Sequence, residues 1–338
     1  MIRSCDFRPA WWLPGAHGQT LWPALFRLKP RPALRRERVE LPDGDFIDLD
    51  WTLGDRGPIV LILHGLEGSS DSGYARGLLS RVAACGWRGV VMHFRGCSGE
   101  SNRLARSYNA GETRDLAYVV DWLRQRESAT ALACVGYSLG GNALLKWLGE
   151  TGTTKISAAV AISAPFLLDA AAQRMRRGFS RLYQRHLLRH LRLHYRRKRK
   201  AGLPIPVSLR EMARLRDFYA FDDKVTAPLH GFAGVQDYYR RCSCRDYLRG
   251  IRTPTLIIHA LDDPFLLASA VPQAEELSDS TTLELSRHGG HVGFVSGVWP
   301  GSARYWLEQR IPAFLAEHWG GTENCKSQTA ASLLLTNS

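Results

Sequence analysis

Ser138 stands in Gly136-Tyr137-Ser138-Leu139-Gly140, a G-x-S-x-G pattern where an apolar run ends and a helix-like one begins. A serine hydroxyl is a poor nucleophile until a base takes its proton. The strand-to-helix junction supplies the other requirement. A sharp turn with unfavourable backbone angles lifts the hydroxyl clear, and small residues two positions away on either side let helix and strand approach. Gly141 extends that small surface. A glycine-rich turn without chemistry could carry the same five residues, so the partners decide.

In a sheet of this kind the base comes from the loop after the last strand and its orienting acid from the loop after the strand before, in the order Ser…Asp…His. "LIIHALDDPF" ends one strand with Asp262 and Asp263, and "SRHGGHVGF" follows the next with His288 and His291. Asp263 is the expected acid because it directly precedes a proline in the loop leaving its strand. His291 is the expected base because two glycines before it let the loop carry the ring over the serine. Asp262 and His288 are the fallbacks. Two backbone N–H groups should face the developing oxyanion. One is that of Leu139. The other belongs to the "HGLEG" loop at His64–Gly68, with Leu66 the expected donor; an ordinary strand-ending glycine turn is the bland reading. A histidine base with an ordinary pKa near about 6.5 makes activity rise through roughly pH 6–8.

These groups need a scaffold. From residue 59 onward short continuous apolar runs alternate with helical patterns. Strands are expected at 58–65, 88–96, 131–136, 155–165 and 253–263, with the last turn of the pattern at 281–291, and helices at 73–86, 111–126, 138–150 and near 301–316. Unbroken apolar strands between helices predict an α/β fold, a mostly parallel sheet covered on both faces. The long stretch between the strands at 155–165 and 253–263 is too long for a loop and predicts a helical cap at about 166–252. There Phe179, Leu182, Tyr183, Leu187, Leu191 and Tyr195 share one helical face, and Ser208 with Glu211 forms a capping-box pattern. Residues 1–320 are read as one domain and 321–338 as a poorly ordered tail.

The 338 residues are 45% hydrophobic with 10% aromatics, enough for a large core. The net charge of +13 is concentrated: residues 174–200 hold twelve Lys and Arg and no acid, nearly the whole excess. The 7 cysteines are scattered and lack C-x-x-C pairs, which fits a reduced cytoplasm and no zinc site. No signal peptide or membrane span is expected.

The chain also resembles the YheT-like branch of the α/β-hydrolases, a group of bacterial esterases related to animal and yeast lipases. The matching stretches are "HGLEGSSDSGYARGL", "HFRGCSGESNRLARSYNAGET", "GYSLGGNALLKWLGE", "FDDKVTAPLHGFAGVQDYYRRCS", "PTLIIHALDDPF" and "HGGHVGF", spread over about residues 8–315. The resemblance implies an α/β-hydrolase fold, a carboxylic-ester hydrolase of the carboxylesterase or lipase type, and Ser138, Asp263 and His291 as nucleophile, acid and base.

The combined expectation is a serine esterase acting on short- to medium-chain acyl esters or lipids, with neither cofactor nor metal. Two rivals stand beside it: an acyltransferase passing the acyl group to an alcohol, and a non-catalytic module using the basic cap. The basic segment reads as a solvated face, a surface for anionic membrane, or a nucleic-acid site, the last disfavoured because its aromatics lie on the apolar side. Arg95 or Cys97 in "FRGCSGESNR" could touch substrate, although loop structure is the simpler reading. "FDDKVTAPLHGF" is expected to pack the cap onto the sheet.

Overall fold

A computed structural model describes residues 1–27, 30 and 32–319, so the expected tail lies outside the described residues. The chain opens with elements that sequence patterning does not disclose: β1 (Ile2–Ser4), α1 (Gly15–Leu25), β2 (Leu34–Glu40) and β3 (Phe46–Thr52). The expected alternation follows: β4 (Ile59–Leu63), α2 (Gly73–Ala84), β5 (Arg88–Met92), α3 (Arg114–Arg126), β6 (Leu132–Tyr137), α4 (Leu139–Thr151) and β7 (Ala158–Ile162). Gly86, at φ 76°, takes the left-handed conformation that turns the chain from α2 into β5.

Among the described residues one sheet has nine strands in the order β1-β9-β8-β7-β6-β4-β5-β3-β2, where β8 is Thr255–Ala260 and β9 Thr281–Ser286. All pairings from β1 across to β5 are parallel, and β3 alone runs against its neighbours. The chain passes from β4 outward to β5, then crosses to β6 on the other flank of β4. That reversal opens a crevice at the carboxyl ends of β4 and β6, where parallel sheets bind ligands.

The alternation of side chains divides the core into two layers. Leu61 and Leu63 of β4 join Leu116, Val120 and Leu144 on the α3–α4 side. Val60 and Ile62 join Leu78, Val82 and Ile311 on the other side, where α2 packs with the C-terminal helix. Burying one such side chain stabilises the fold by about 1.5–3 kcal/mol, so either layer is intolerant of a polar substitution.

Between β7 and β8 lie the helices α5 (Leu168–Met175), α6 (Ser180–Lys200), α7 (Leu209–Arg214), α8 (Phe218–Phe221), α9 (Ala227–Leu229) and α10 (Val235–Cys242). The capping box is present at α7: Ser208 Oγ accepts from Glu211 N–H at 3.2 Å, and Glu211 Oε2 accepts from Ser208 N–H at 2.8 Å. A single π turn, Asp222–Thr226, joins α8 to α9. The "FDDKVTAPLHGF" stretch therefore lies inside the cap: Phe221 and Val225 pack against α6, and Ala227 against α5 and α10.

Two expectations need correction. The expected apolar face of α6 is displaced: Tyr183, Leu188, Leu191 and Tyr195 are buried, whereas Phe179 and Leu182 are exposed. The last helix, α11, spans Leu307–Glu317, because Arg304–Tyr305 first forms a short antiparallel pair with Val295–Ser296. Among the described residues no helix is long and apolar enough to cross a membrane.

Candidate active site

Ser138 links β6 to α4 with φ 51° and ψ −118°, a region that costs a non-glycine residue about 1–3 kcal/mol. The neighbouring strand β7 and the first turn of α4 hold it there: its N–H donates to Ile162 O at 2.8 Å, and its carbonyl accepts from Asn142 N–H at 3.0 Å. The flanking glycines are required by contact. A Cβ on Gly136 would lie 2.5 Å from Gly140 O, and one on Gly140 would lie 2.5 Å from Leu63 O. The helix can start this close to the strands only without those side chains.

The structure brings His291 and Asp263 to this serine. His291 Nε2 is 2.9 Å from Ser138 Oγ, and His291 Nδ1 is 2.8 Å from Asp263 Oδ2. A carboxylate can only accept, so Nδ1 carries the ring proton and Nε2 presents its lone pair to the serine hydroxyl. Asp263 is buried, and its other oxygen accepts from Phe265 N–H at 2.8 Å, which fixes the carboxylate plane. The fallback residues are placed apart from the serine. His288 is exposed and faces Asp262 at 3.5 Å, while Asp262 Oδ1 accepts from Gly290 N–H at 2.9 Å.

Three further residues hold His291 and its loop, and sequence reading did not single them out. Phe265 stacks on the His291 ring at 4.0 Å and 8°. Thr20 Oγ1 accepts from His291 N–H at 2.9 Å, and Ser163 Oγ accepts from Val292 N–H at 3.1 Å. Phe265 was readable as the residue after the Asp-Pro pair. Thr20 had no local signal, because its partner lies 271 positions away.

The "HGLEG" loop sits against Ser138, with a Cβ at Gly65 falling 3.3 Å from Ser138 Cβ. Gly65 N–H donates to Tyr74 Oη, Glu67 N–H to Tyr108 Oη and Gly68 N–H to Gly65 O. Leu66 N–H is left as the one amide of 65–68 with no acceptor among the described residues. Leu139 N–H is the first donor of α4, a position without an intrahelical acceptor. His64 braces the loop: Nδ1–H donates to Gly65 O at 2.7 Å and Nε2 accepts from Phe94 N–H at 3.1 Å. Burial pushes its pKa down to about 3, as this neutral bracing form requires.

Ser138, Leu139, Leu66 and His291 line a cavity of about 560 Å³ between the sheet edge and the cap. Leu168, Ala172 and Met175 of α5 contribute an apolar wall, and Glu67 and His194 a polar one. Glu67 accepts from Tyr108 Oη at 2.9 Å, and burial pushes its carboxyl up to about 7. His194 Nε2 lies 2.9 Å from Ser107 Oγ, and burial pushes its pKa down to about 3. Arg95 is outside the cavity. Its buried guanidinium pairs with Asp115 at 2.7 Å and Asp43 at 2.8 Å, so it ties its own loop to the start of α3 and to the β2–β3 turn. Cys97 likewise does not line the cavity, and burial raises its pKa well above the ordinary thiol value. Among the described residues no cluster of His, Cys, Asp or Glu could hold a metal ion.

A strained serine between a parallel strand and a helix, with an aspartate and a histidine delivered by the ends of β8 and β9, defines a class. The chain belongs to the α/β-hydrolase family, whose model of the α/β hydrolase fold matches residues 58–298. Among curated proteins it is 44% identical to Escherichia coli "Putative esterase YheT", over 93% of this chain and 94% of that one. It is 30% identical to a Saccharomyces cerevisiae monoacylglycerol lipase, over 83% of this chain and 63% of that one. It is 28% identical to the Mus musculus phospholipase ABHD3, over 88% of this chain and 75% of that one. Of solved structures, the Pyrococcus furiosus esterase Pf2001 shares the fold with a TM-score of 0.57 at 17% identity, covering 87% of this chain and 98% of that one. The chain is an esterase- and lipase-like α/β-hydrolase, and the resemblance to the YheT-like branch holds along nearly its whole length.

Proposed function

We propose that the protein hydrolyses carboxylic esters through an acyl-enzyme formed on Ser138. The observation that carries this reading is the continuous chain from Ser138 Oγ to His291 Nε2 at 2.9 Å and from His291 Nδ1 to Asp263 Oδ2 at 2.8 Å. As Ser138 Oγ attacks the ester carbonyl, its proton passes to His291 Nε2, and Asp263 stabilises the imidazolium. The oxygen that gains negative charge lies between the N–H groups of Leu66 and Leu139, each contributing about 3 kcal/mol of transition-state stabilisation. Collapse returns the proton to the departing alcohol. Water then repeats the cycle in reverse, giving its proton to His291 and releasing the acid.

The apolar wall beside Ser138 fits the acyl chain of a short- to medium-chain ester or a lipid, and a cavity of about 560 Å³ is of ligand-pocket size. Relatives named for phospholipid and monoacylglycerol substrates support the lipid side of that range. The test is a panel of p-nitrophenyl esters of increasing acyl length. Turnover by the wild type that falls on the order of 10⁶-fold in Ser138→Ala is expected. Equal rates in the two proteins would refute the reading.

A further inference from the structure

The corrected face of α6 leaves a surface that the ester chemistry does not use. Phe179 and Leu182 are exposed, with Leu182 at 49% of its free area, and Leu193 lies further along the same helix. Along the same helix Arg181, Arg185 and Arg189 are exposed at spacings of about one helical turn, and Arg196 is exposed two turns further on. Of the Lys and Arg residues in 174–200, only Arg176 pairs with an acid among the described residues, with Asp217 at 3.3 Å. This is an amphipathic helix carrying an unneutralised basic stripe with apolar side chains set into it.

The surface borders the entrance to the cavity. His186 and His190 of α6 line the cavity and are exposed, and so is Ala24 of α1. The opening therefore lies between α6 and the carboxyl end of α1. On the α1 side Leu25 and Phe26, 67% and 63% exposed, flank it. The two rims are joined, since His17 of α1 meets the Phe179 ring at 4.5 Å and Tyr183 Oη at 3.1 Å.

We propose that this rim docks on an anionic lipid bilayer, with α6 lying along the headgroups and Leu25, Phe26, Phe179 and Leu182 entering the acyl boundary. Charge complementarity selects the occupant: a cationic helix without acids matches a negative leaflet, and each arginine near such a surface strengthens binding by roughly fivefold. The interspersed apolar residues match the acyl layer and have no role on a nucleic-acid backbone. Docked this way, the mouth between the rims opens directly onto lipid. Binding through this face does not depend on the ester reading, and it would hold for a catalytically dead chain.

The experiment measures partition of the full chain onto phosphatidylcholine vesicles, with and without one quarter phosphatidylglycerol, for the wild type and for Ser138→Ala. Both should bind the anionic vesicles and release at high salt. Arg181→Gln/Arg185→Gln/Arg189→Gln should weaken partition roughly a hundredfold, and Leu25→Ser/Phe26→Ser should weaken it independently, while turnover of a soluble short-chain ester is kept. The proposal is overturned if partition is the same on neutral vesicles or is unchanged in either variant. It is equally overturned if the wild type binds duplex DNA and ignores vesicles, or if it forms a dimer that Leu25→Ser/Phe26→Ser dissociates.

Discussion

The loops after β8 and β9 deliver two aspartate–histidine pairs of the same chemistry, and of these only Asp263–His291 reaches Ser138. Asp263 and His291 meet at 2.8 Å, mostly shielded from water, with both carboxylate oxygens hydrogen-bonded and the ring stacked on Phe265. Asp262 and His288 face each other at 3.5 Å, and the His288 side chain is 58% exposed. Burial raises the Asp262 pKa, and its Oδ2 makes no hydrogen bond among the described residues. Adjacent residues in the chain therefore do different work: Asp263 holds the His291 ring, and Asp262 pins the Gly290 amide. Residue type offers both pairs equally. Backbone direction and the groups packed behind them separate the two.

The comparison breaks most visibly through the base. His291→Ala should lower kcat on the order of 10⁶-fold, whereas His288→Ala, an exposed change, should leave it within tenfold in the same ester assay. Next comes the acid. Asp263→Asn should cost on the order of 10⁴-fold, because an amide can hold the ring with its proton on the wrong nitrogen. Asp262→Asn should cost under tenfold, and an equal loss for the two aspartates would dissolve the distinction.

A smaller effect reads out through pH. The half-buried Glu67 beside Leu66 has its pKa raised to about 7 by desolvation, above the ordinary value, so the fold favours its neutral form. The associated stability is fully present below the unfolded pKa of about 4.5 and is lost as pH rises through about 7. Glu67→Gln should therefore melt progressively higher than the wild type as pH goes from about 5 to 8, followed by thermal unfolding; a gap that shrinks would contradict it. The smallest effect is at Thr20. Thr20→Val removes the acceptor of the His291 amide and should cost about 1 kcal/mol, seen as a severalfold loss in kcat with KM kept.

The same contrast between local signal and distant partner explains what the sequence discloses. β4 to β8 are legible because both faces of each are covered, which leaves short, largely apolar runs. The glycines around Ser138 are legible because helix and strand touch there. Asp263 is separable from Asp262 by the proline after it, and His291 from His288 by the glycine pair. β2 and β3 are hidden for the opposite reason. "FIDLDWT" alternates like a half-exposed strand, yet all of β3 is buried, with Asp48 and Asp50 neutralised by Arg38 and Arg36 directly opposite in register. β1 is three residues long and pairs with β9 across nearly the whole chain. The face of α6 misleads because burial follows His194 and Lys198 as well as its apolar residues. The Lys198 ammonium donates to the carbonyls of Leu104, Ala105 and Arg106, which lets a cation turn inward.

The most direct test is covalent. A fluorophosphonate should label one serine, located by mass spectrometry in the peptide carrying Ser138, in the wild type and in His288→Ala. Labelling should collapse in His291→Ala. A label on any other residue, or undiminished labelling without His291, would contradict the triad.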